Sequence, residues 1–213
     1  MKLDIGHHLE RSFALFTPTL VIAELLLIYC FLTAPTLMGF LLIIFVPLLV
    51  PVLTNRLVTF FAPMREGVRY AGSKGFDAWI VSYRLQGFYY LFPIFERFLL
   101  AIPGAYSMWL RAWGSKIGRK VVWSPNVEVI DRGMIEVGDK VLFGYQAALS
   151  SHIILFENRQ LKLILSKVRL APGTLVGGRA SLGPGCKSNP GETLKAMQVY
   201  ADYSLLGVEC ENK

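Results

Sequence analysis

The feature that most constrains this chain is a six-residue beat in its C-terminal half. From Leu170 the sequence divides into LAPGTL, VGGRAS and LGPGCK. Each six opens on an apolar residue, and a small residue follows it: Ala171, Gly177, Gly183. A second small residue holds the fifth place: Thr174, Ala180, Cys186. From Val137 the run VGDKVL, FGYQAA, LSSHII obeys the same rule, and from Ile117 the run IGRKVV, WSPNVE, VIDRGM follows it loosely. Three sixes make one triangular coil of eighteen residues. The opening residue of each six points inward, and the small residue sits at the corner, where the chain turns tightly. One coil cannot bury its own interior, so coils stack into a common core. Ile135 and Glu136 add two residues between the first and second coils, and Leu155–Arg169 interrupts the beat before the third. After Lys187 the pattern fades, with a degenerate fourth coil expected to include Tyr203–Val208.

The N-terminal half obeys a different rule. Phe13–Thr33 carries one charge, Glu24, and Thr36–Leu53 carries none. A helix of about 20 apolar residues crosses the roughly 30 Å hydrocarbon core of a bilayer. The first run is longer than the core of a secretory signal and leads straight into a second, which favours a retained helix. The second span extends to about Phe61 and tolerates Pro47 and Pro51, as bundled membrane helices do. Only Ala34 and Pro35 separate the two, so a tight hairpin is expected. Lys2 and Arg11 precede it, and Arg65, Arg69 and Lys74 follow it. The positive-inside rule then places both ends in the cytoplasm. Glu24 is read as hydrogen-bonded within the hairpin or between subunits, although ionisable groups in spans are often functional.

Ala78–Trp113 is apolar but interrupted by Arg84, Gln86, Pro93, Glu96, Arg97, Pro103 and Arg111. Two or three short interfacial helices are expected there, with a second transmembrane hairpin as the competing reading. The organisation expected is therefore a hairpin over 1–63, interfacial amphipathic helices over 64–116, and the repeat domain with its tail over 117–213. The net charge of +7 is spread along the chain. No helix-turn-helix, zinc-finger or RRM-type signature accompanies it, which argues against nucleic acid and suits an anionic membrane leaflet. Cys30, Cys186 and Cys210 lack the number and spacing of a disulfide framework or thiolate zinc site.

Over Ile117–Lys187 the hexads resemble those of left-handed parallel β-helix transferases. The segment SHIILFENRQLKLILSKVR, Ser151–Arg169, is similar to one found in membrane-attached bacterial hexapeptide-repeat acyltransferases. The fold class implied is membrane α plus β: a transmembrane hairpin and interfacial helices followed by a short left-handed parallel β-helix. The resemblance implies an acyl group, acetyl above all, moving from a coenzyme A or carrier-protein thioester. The acceptor would be a hydroxyl or amine on a lipid, lipid-linked sugar or other amphiphile. It also implies a homotrimer in the bacterial inner membrane and no permanently bound cofactor. His152 is the one histidine outside the extreme N-terminus, and an imidazole suits proton removal near neutral pH. It is the expected general base, with Glu157 as its acidic partner. A backbone amide at Gly177 or Gly178 is the candidate oxyanion donor, and Arg179 and Lys187 are candidates for coenzyme A phosphates. A zinc-dependent carbonic anhydrase shares the prism but needs about three histidines per site, and the repeats offer one. A non-catalytic trimer scaffold is the alternative.

Overall fold

The computed structural model describes residues 13–157, 159–202 and 204. The expectations at Lys2, Arg11 and Cys210, and all of Tyr203–Val208 except Ser204, lie outside them. The chain divides into two compact units. One runs to Met64 and takes up Gly72–Phe95; the other holds Arg65–Ala71 and resumes at Glu96. The region expected as one interfacial segment, 64–116, is thus shared between them.

The helical unit contains α1 (Phe16–Thr33), α2 (Leu37–Phe61), α3 (Lys74–Leu85) and α4 (Gly87–Leu91). Thr36 caps α2, its side chain accepting from the Gly39 amide at 3.0 Å. Both α1 and α2 are long and apolar enough to cross a membrane. Their apolar side chains face outward: Leu25, Leu32, Leu53 and Phe60 are all more than 60% exposed. Two of their polar groups, Glu24 and Asn55, face inward instead. Asn55 is fully buried and accepts from the Ser82 hydroxyl at 2.8 Å, and the Gln86 amide donates to the Ser82 carbonyl at 3.1 Å. Pro47 and Pro51 lie inside α2 without ending it. Proline at 51 has no N–H to give the carbonyl four residues earlier. The Tyr89 hydroxyl supplies that donor, reaching the Pro47 oxygen at 2.7 Å. Glu24 is buried, and among the described residues neither of its carboxyl oxygens has a hydrogen-bond partner, so the bond expected within the hairpin is not made.

The second unit is built on three parallel sheets, one for each side of a triangular solenoid. The first side stacks β2 (Lys116–Ile117), β5 (Ile135–Val137) and β10 (Val168–Leu170). The second stacks β3 (Val122–Trp123), β6 (Leu142–Phe143), β11 (Leu175–Val176) and β13 (Thr193–Leu194). The third stacks β4 (Glu128–Val129), β7 (Ala148–Leu149), β12 (Ser181–Leu182) and β14 (Val199–Tyr200). The hexad openers meet in register: Ile117 with Val137 and Leu170, Phe143 with Val176 and Leu194, Val129 with Leu149 and Leu182. All are buried, each burial contributing about 1.5–3 kcal/mol. At the bottom of the stack Trp123 lies flat on Phe143, ring centroids 4.3 Å apart.

The small residue after each opener has a measurable cause. A methyl group on Gly177 would stand 2.3 Å from the Ala196 nitrogen of the next coil, and one on Gly138 would stand 2.5 Å from the Pro172 nitrogen. Successive corners press backbone on backbone. The fourth coil arrives earlier than expected, at Leu194 and Tyr200 rather than in the tail. Its pattern is masked because Ser188 stands where an apolar opener belongs and Lys195 where a small residue does.

Both departures from the eighteen-residue pitch emerge at one corner, between the third side and the first. The two extra residues lie in the turn 130–134, not at Ile135–Glu136, because Ile135–Val137 is β5 and pairs in register with β10. One coil later the same corner extrudes an antiparallel hairpin of β8 (His152–Glu157) and β9 (Gln160–Leu165). A remote strand, β1 (Gly67–Tyr70), adds antiparallel to its outer edge. Under the first coil lie α5 (Ile94–Ala101) and α6 (Ala105–Trp113), set off by Pro93 and Pro103. Helix α6 buries Tyr106, Trp109, Leu110 and Trp113. Its Ser107 accepts from the Trp123 indole at 2.8 Å.

Candidate active site

The hairpin corner brings a histidine and a buried carboxylate together. Leu149 fixes the end of the third side by burying its side chain, and the next residues turn the corner. Ser151 is fully buried there: its hydroxyl donates to the Met134 carbonyl at 2.7 Å, and its carbonyl accepts from the Ser166 amide at 2.8 Å. This closes the base of the hairpin and sets His152 as its first residue. Asp131 occupies the same corner one coil below. Its Oδ2 accepts from the Ser151 amide at 2.8 Å and lies 2.7 Å from Nδ1 of His152. The side chains are 5% and 15% exposed. With the proton assigned to Nδ1, which a carboxylate partner requires, Nε2 is the basic nitrogen. That is the tautomer a general base needs.

The Asp131 turn is held on its other flank. Arg132 is almost wholly buried and pairs bidentately with Glu96 of α5, at 3.0 and 2.5 Å. Its guanidinium carbon stands 5.6 Å from the Trp109 ring centroid. The Tyr106 hydroxyl donates to the same Glu96 at 3.4 Å. Burial, and then the Glu96 charge, raise the Tyr106 phenol well above its ordinary value, so it stays protonated. Ser115 ties the turn again, its hydroxyl donating to the Arg132 carbonyl at 2.7 Å and accepting from the Ile135 amide at 3.1 Å.

Glu157 stands elsewhere. It ends β8, five residues beyond His152 on one extended strand, a separation on the order of 16 Å at about 3.3 Å per residue. Its partners are Lys162 at 3.0 Å and the Tyr70 hydroxyl at 3.4 Å. Asp131, not Glu157, holds the imidazole. The sequence carried the signal: aligning VIDRGM with LSSHII puts Asp131 level with Ser151, beside His152. Gly177, Gly178 and Arg179 form the corner between the second and third sides, away from His152. The Gly177 amide donates to the Leu194 carbonyl at 2.8 Å, so it belongs to the coil ladder rather than to an oxyanion. Arg179 donates to the Gln146 side chain at 3.0 Å.

Lys187 lies on the first side, bridged to Arg169, where the two help to line a groove of about 380 Å³ with Lys116, Glu136 and Ser188. Glu66 reaches this side and pairs with Arg169, whose hydrogen bonds bring its carboxyl down to about 2. Glu136 is also lowered, chiefly by the hydrogen bond from Lys167. Cys186 is buried, and burial pushes its thiol up to about 11, which disfavours the thiolate at neutral pH. Among the described residues no group of three His, Cys, Asp or Glu side chains is placed to hold a metal.

Two solved structures resemble part of the chain. One is a hexapeptide-repeat-containing acetyltransferase from Vibrio cholerae, at 18% identity and a TM-score of 0.38, covering 42% of this chain and 55% of that one. The other is a hexapeptide-repeat-containing acetyltransferase from Vibrio cholerae O1 biovar eltor complexed with acetyl coenzyme A, at 13% identity and a TM-score of 0.39, covering 50% of this chain and 78% of that one. The chain therefore spans about half the length of the first. No family model matches it, and no curated protein does.

Proposed function

We propose that this chain is a membrane-bound acyltransferase of the hexapeptide-repeat type, its solenoid wound left-handed. The observation that carries the reading is the His152–Asp131 pair at 2.7 Å, at the corner where the repeat opens into a hairpin. In the reaction, Nε2 of His152 takes the proton from an acceptor hydroxyl or amine as that atom attacks the thioester carbonyl. Asp131 stabilises the imidazolium that forms. The tetrahedral intermediate collapses, the carbon–sulfur bond breaks, and the imidazolium returns its proton to the departing thiolate. General-base assistance of this kind contributes about 10²–10⁴ in rate. Coenzyme A or a carrier-protein thioester supplies the acyl group, with acetyl as the first candidate. Lys187, Arg169 and Lys116, along the groove on the first side, suit its phosphates.

Gly178 and Arg179 are separated from His152 within one chain. They join its site only from a neighbouring copy, as the homotrimer implied by the sequence resemblance would allow. The outward apolar faces of α1 and α2 support a bilayer location, taken here as a bacterial inner membrane. The positive-inside reading puts the N-terminus and solenoid on the cytoplasmic side. The acceptor is then a lipid, a lipid-linked sugar or another amphiphile.

The test is thiol release from acetyl- and longer acyl-coenzyme A by the full chain in nanodiscs with native lipid extract. Release that depends on the extract and is lost in His152→Ala, with the oligomer intact, supports transfer. Equal extract-dependent release from both proteins would remove His152 from the mechanism.

A further inference from the structure

Beside α6, away from the hairpin, the first coil forms a second groove, of about 560 Å³. That lies within the roughly 300–1,000 Å³ typical of small-molecule sites. Its walls are apolar and open: Ile102 is 43% exposed, Met108 65% and Val122 52%. Trp123 closes the inner wall, held by Phe143 and Ser107. Arg111 and Lys120 stand at the rim.

The rim continues into a wider cationic field. Between residues 111 and 120 there are four basic side chains, Arg111, Lys116, Arg119 and Lys120, and no acidic one. All four are exposed. Arg111 is fixed in place, its guanidinium donating to the Ile117 and Gly118 carbonyls at 2.9 and 2.7 Å. Two acids beside this field are engaged. Asp139 accepts from the Arg119 amide at 2.7 Å, and Glu136 pairs with Lys167 and Lys116. No acidic side chain lines the groove itself, and an apolar trough edged by Arg111 and Lys120 is complementary to an aliphatic chain ending in an anionic headgroup.

We infer that this groove holds one acyl chain of an anionic phospholipid, with the headgroup phosphate on Arg111 and Lys120. The occupant fits on both counts. Water gains by leaving Ile102, Met108 and Val122, and the basic rim prefers an anionic to a zwitterionic headgroup. The inference does not need the catalytic reading, because it requires no thioester and no turnover.

The test uses the full chain in nanodiscs of phosphatidylglycerol with phosphatidylcholine, or of phosphatidylcholine alone. A benzoylphenylalanine photo-crosslinker replaces Met108, and in a second protein replaces Leu142, which is 41% exposed on the same side one coil away. A lipid adduct at 108, read by intact mass, is expected at least fivefold above that at 142. It should fall at least fivefold without phosphatidylglycerol, and again in the double variant Arg119→Gln, Lys120→Asn. Asparagine is chosen because Lys120 has φ +55°, which that residue tolerates. Equal adducts at the two positions, indifference to lipid charge, or crosslinking of 108 to a second copy of the chain would each overturn the proposal.

Discussion

Replacing Asp131 by asparagine separates the charge of the candidate dyad from its geometry. One oxygen, Oδ2, accepts from both the Ser151 amide and Nδ1 of His152. The buried Ser151 N–H must keep an acceptor, so the asparagine turns its carbonyl oxygen to that position. The same oxygen still receives Nδ1–H, and the imidazole keeps its tautomer. What disappears is the negative charge beside the imidazolium. A hydrogen bond to a charged group is worth about 1.5–3 kcal/mol. At about 1.36 kcal/mol per tenfold change, kcat should fall roughly ten- to a hundredfold. Asp131→Ala removes the acceptor altogether. It should lose up to the whole general-base contribution, about 10²–10⁴. It should also cost stability, about 1–3 kcal/mol for the orphaned Ser151 amide. The assay is thiol release at saturating acyl-coenzyme A and acceptor, with denaturation measured alongside. Glu157→Gln is the control and should stay within about twofold, since Glu157 is exposed and stands at the far end of β8 from His152. The reasoning is refuted if asparagine is as damaging as alanine, if both are harmless, or if Glu157→Gln matches them.

Three further outcomes follow from the packing. Gly177→Ala forces a methyl to 2.3 Å from the Ala196 nitrogen and should destabilise by at least about 1–3 kcal/mol, whereas Gly178→Ala, whose methyl would stand 3.3 Å from a carbonyl oxygen, should cost clearly less in urea denaturation. Glu96→Gln should cost about 3–5 kcal/mol because it removes the carboxylate that faces the buried Arg132 guanidinium, and the double variant with Arg132→Met should recover part of that loss in the same measurement. Glu66 has a carboxyl lowered from 4.5 to about 2 when folded, so its contribution is present above pH 4.5 and is lost as the pH falls toward 2. The difference in melting temperature between wild type and Glu66→Gln should therefore shrink over that window; a constant difference would show that the pair with Arg169 does not hold the carboxyl down.

The hexads were legible because the rule they obey is local. An inward apolar residue and a small neighbour are needed wherever a coil turns, whatever lies above or below. The hairpin of α1 and α2 was legible for a similar reason, since length and apolarity alone decide whether a helix suits a bilayer. The pairing of His152 with Asp131 depended on something else, the stacking of one corner on another. Sequence distance hid it, and Glu157 on the same strand was the nearer acid. The strand Gly67–Tyr70 was hidden too. Four residues with two outward side chains have no amphipathic signature strong enough to announce a partner almost a hundred positions away.

The hairpin between Ser151 and Ser166 behaves as a parenthesis in the chain. The coil that contains it has thirty-three residues between register partners, and the coil above has eighteen, so the hairpin and its flanks account for the whole excess. Its two ends are already joined by the Ser166–Ser151 backbone hydrogen bond. Lengthening a loop whose ends are fixed costs little, about 0.6 kcal/mol for each doubling. Extra length is therefore cheapest at the far end of the hairpin, beyond His152 and the buried Leu163, Ile164 and Leu165, where it retunes no rung of the stack. The stack would persist as an invariant spindle, and change would gather at one seam.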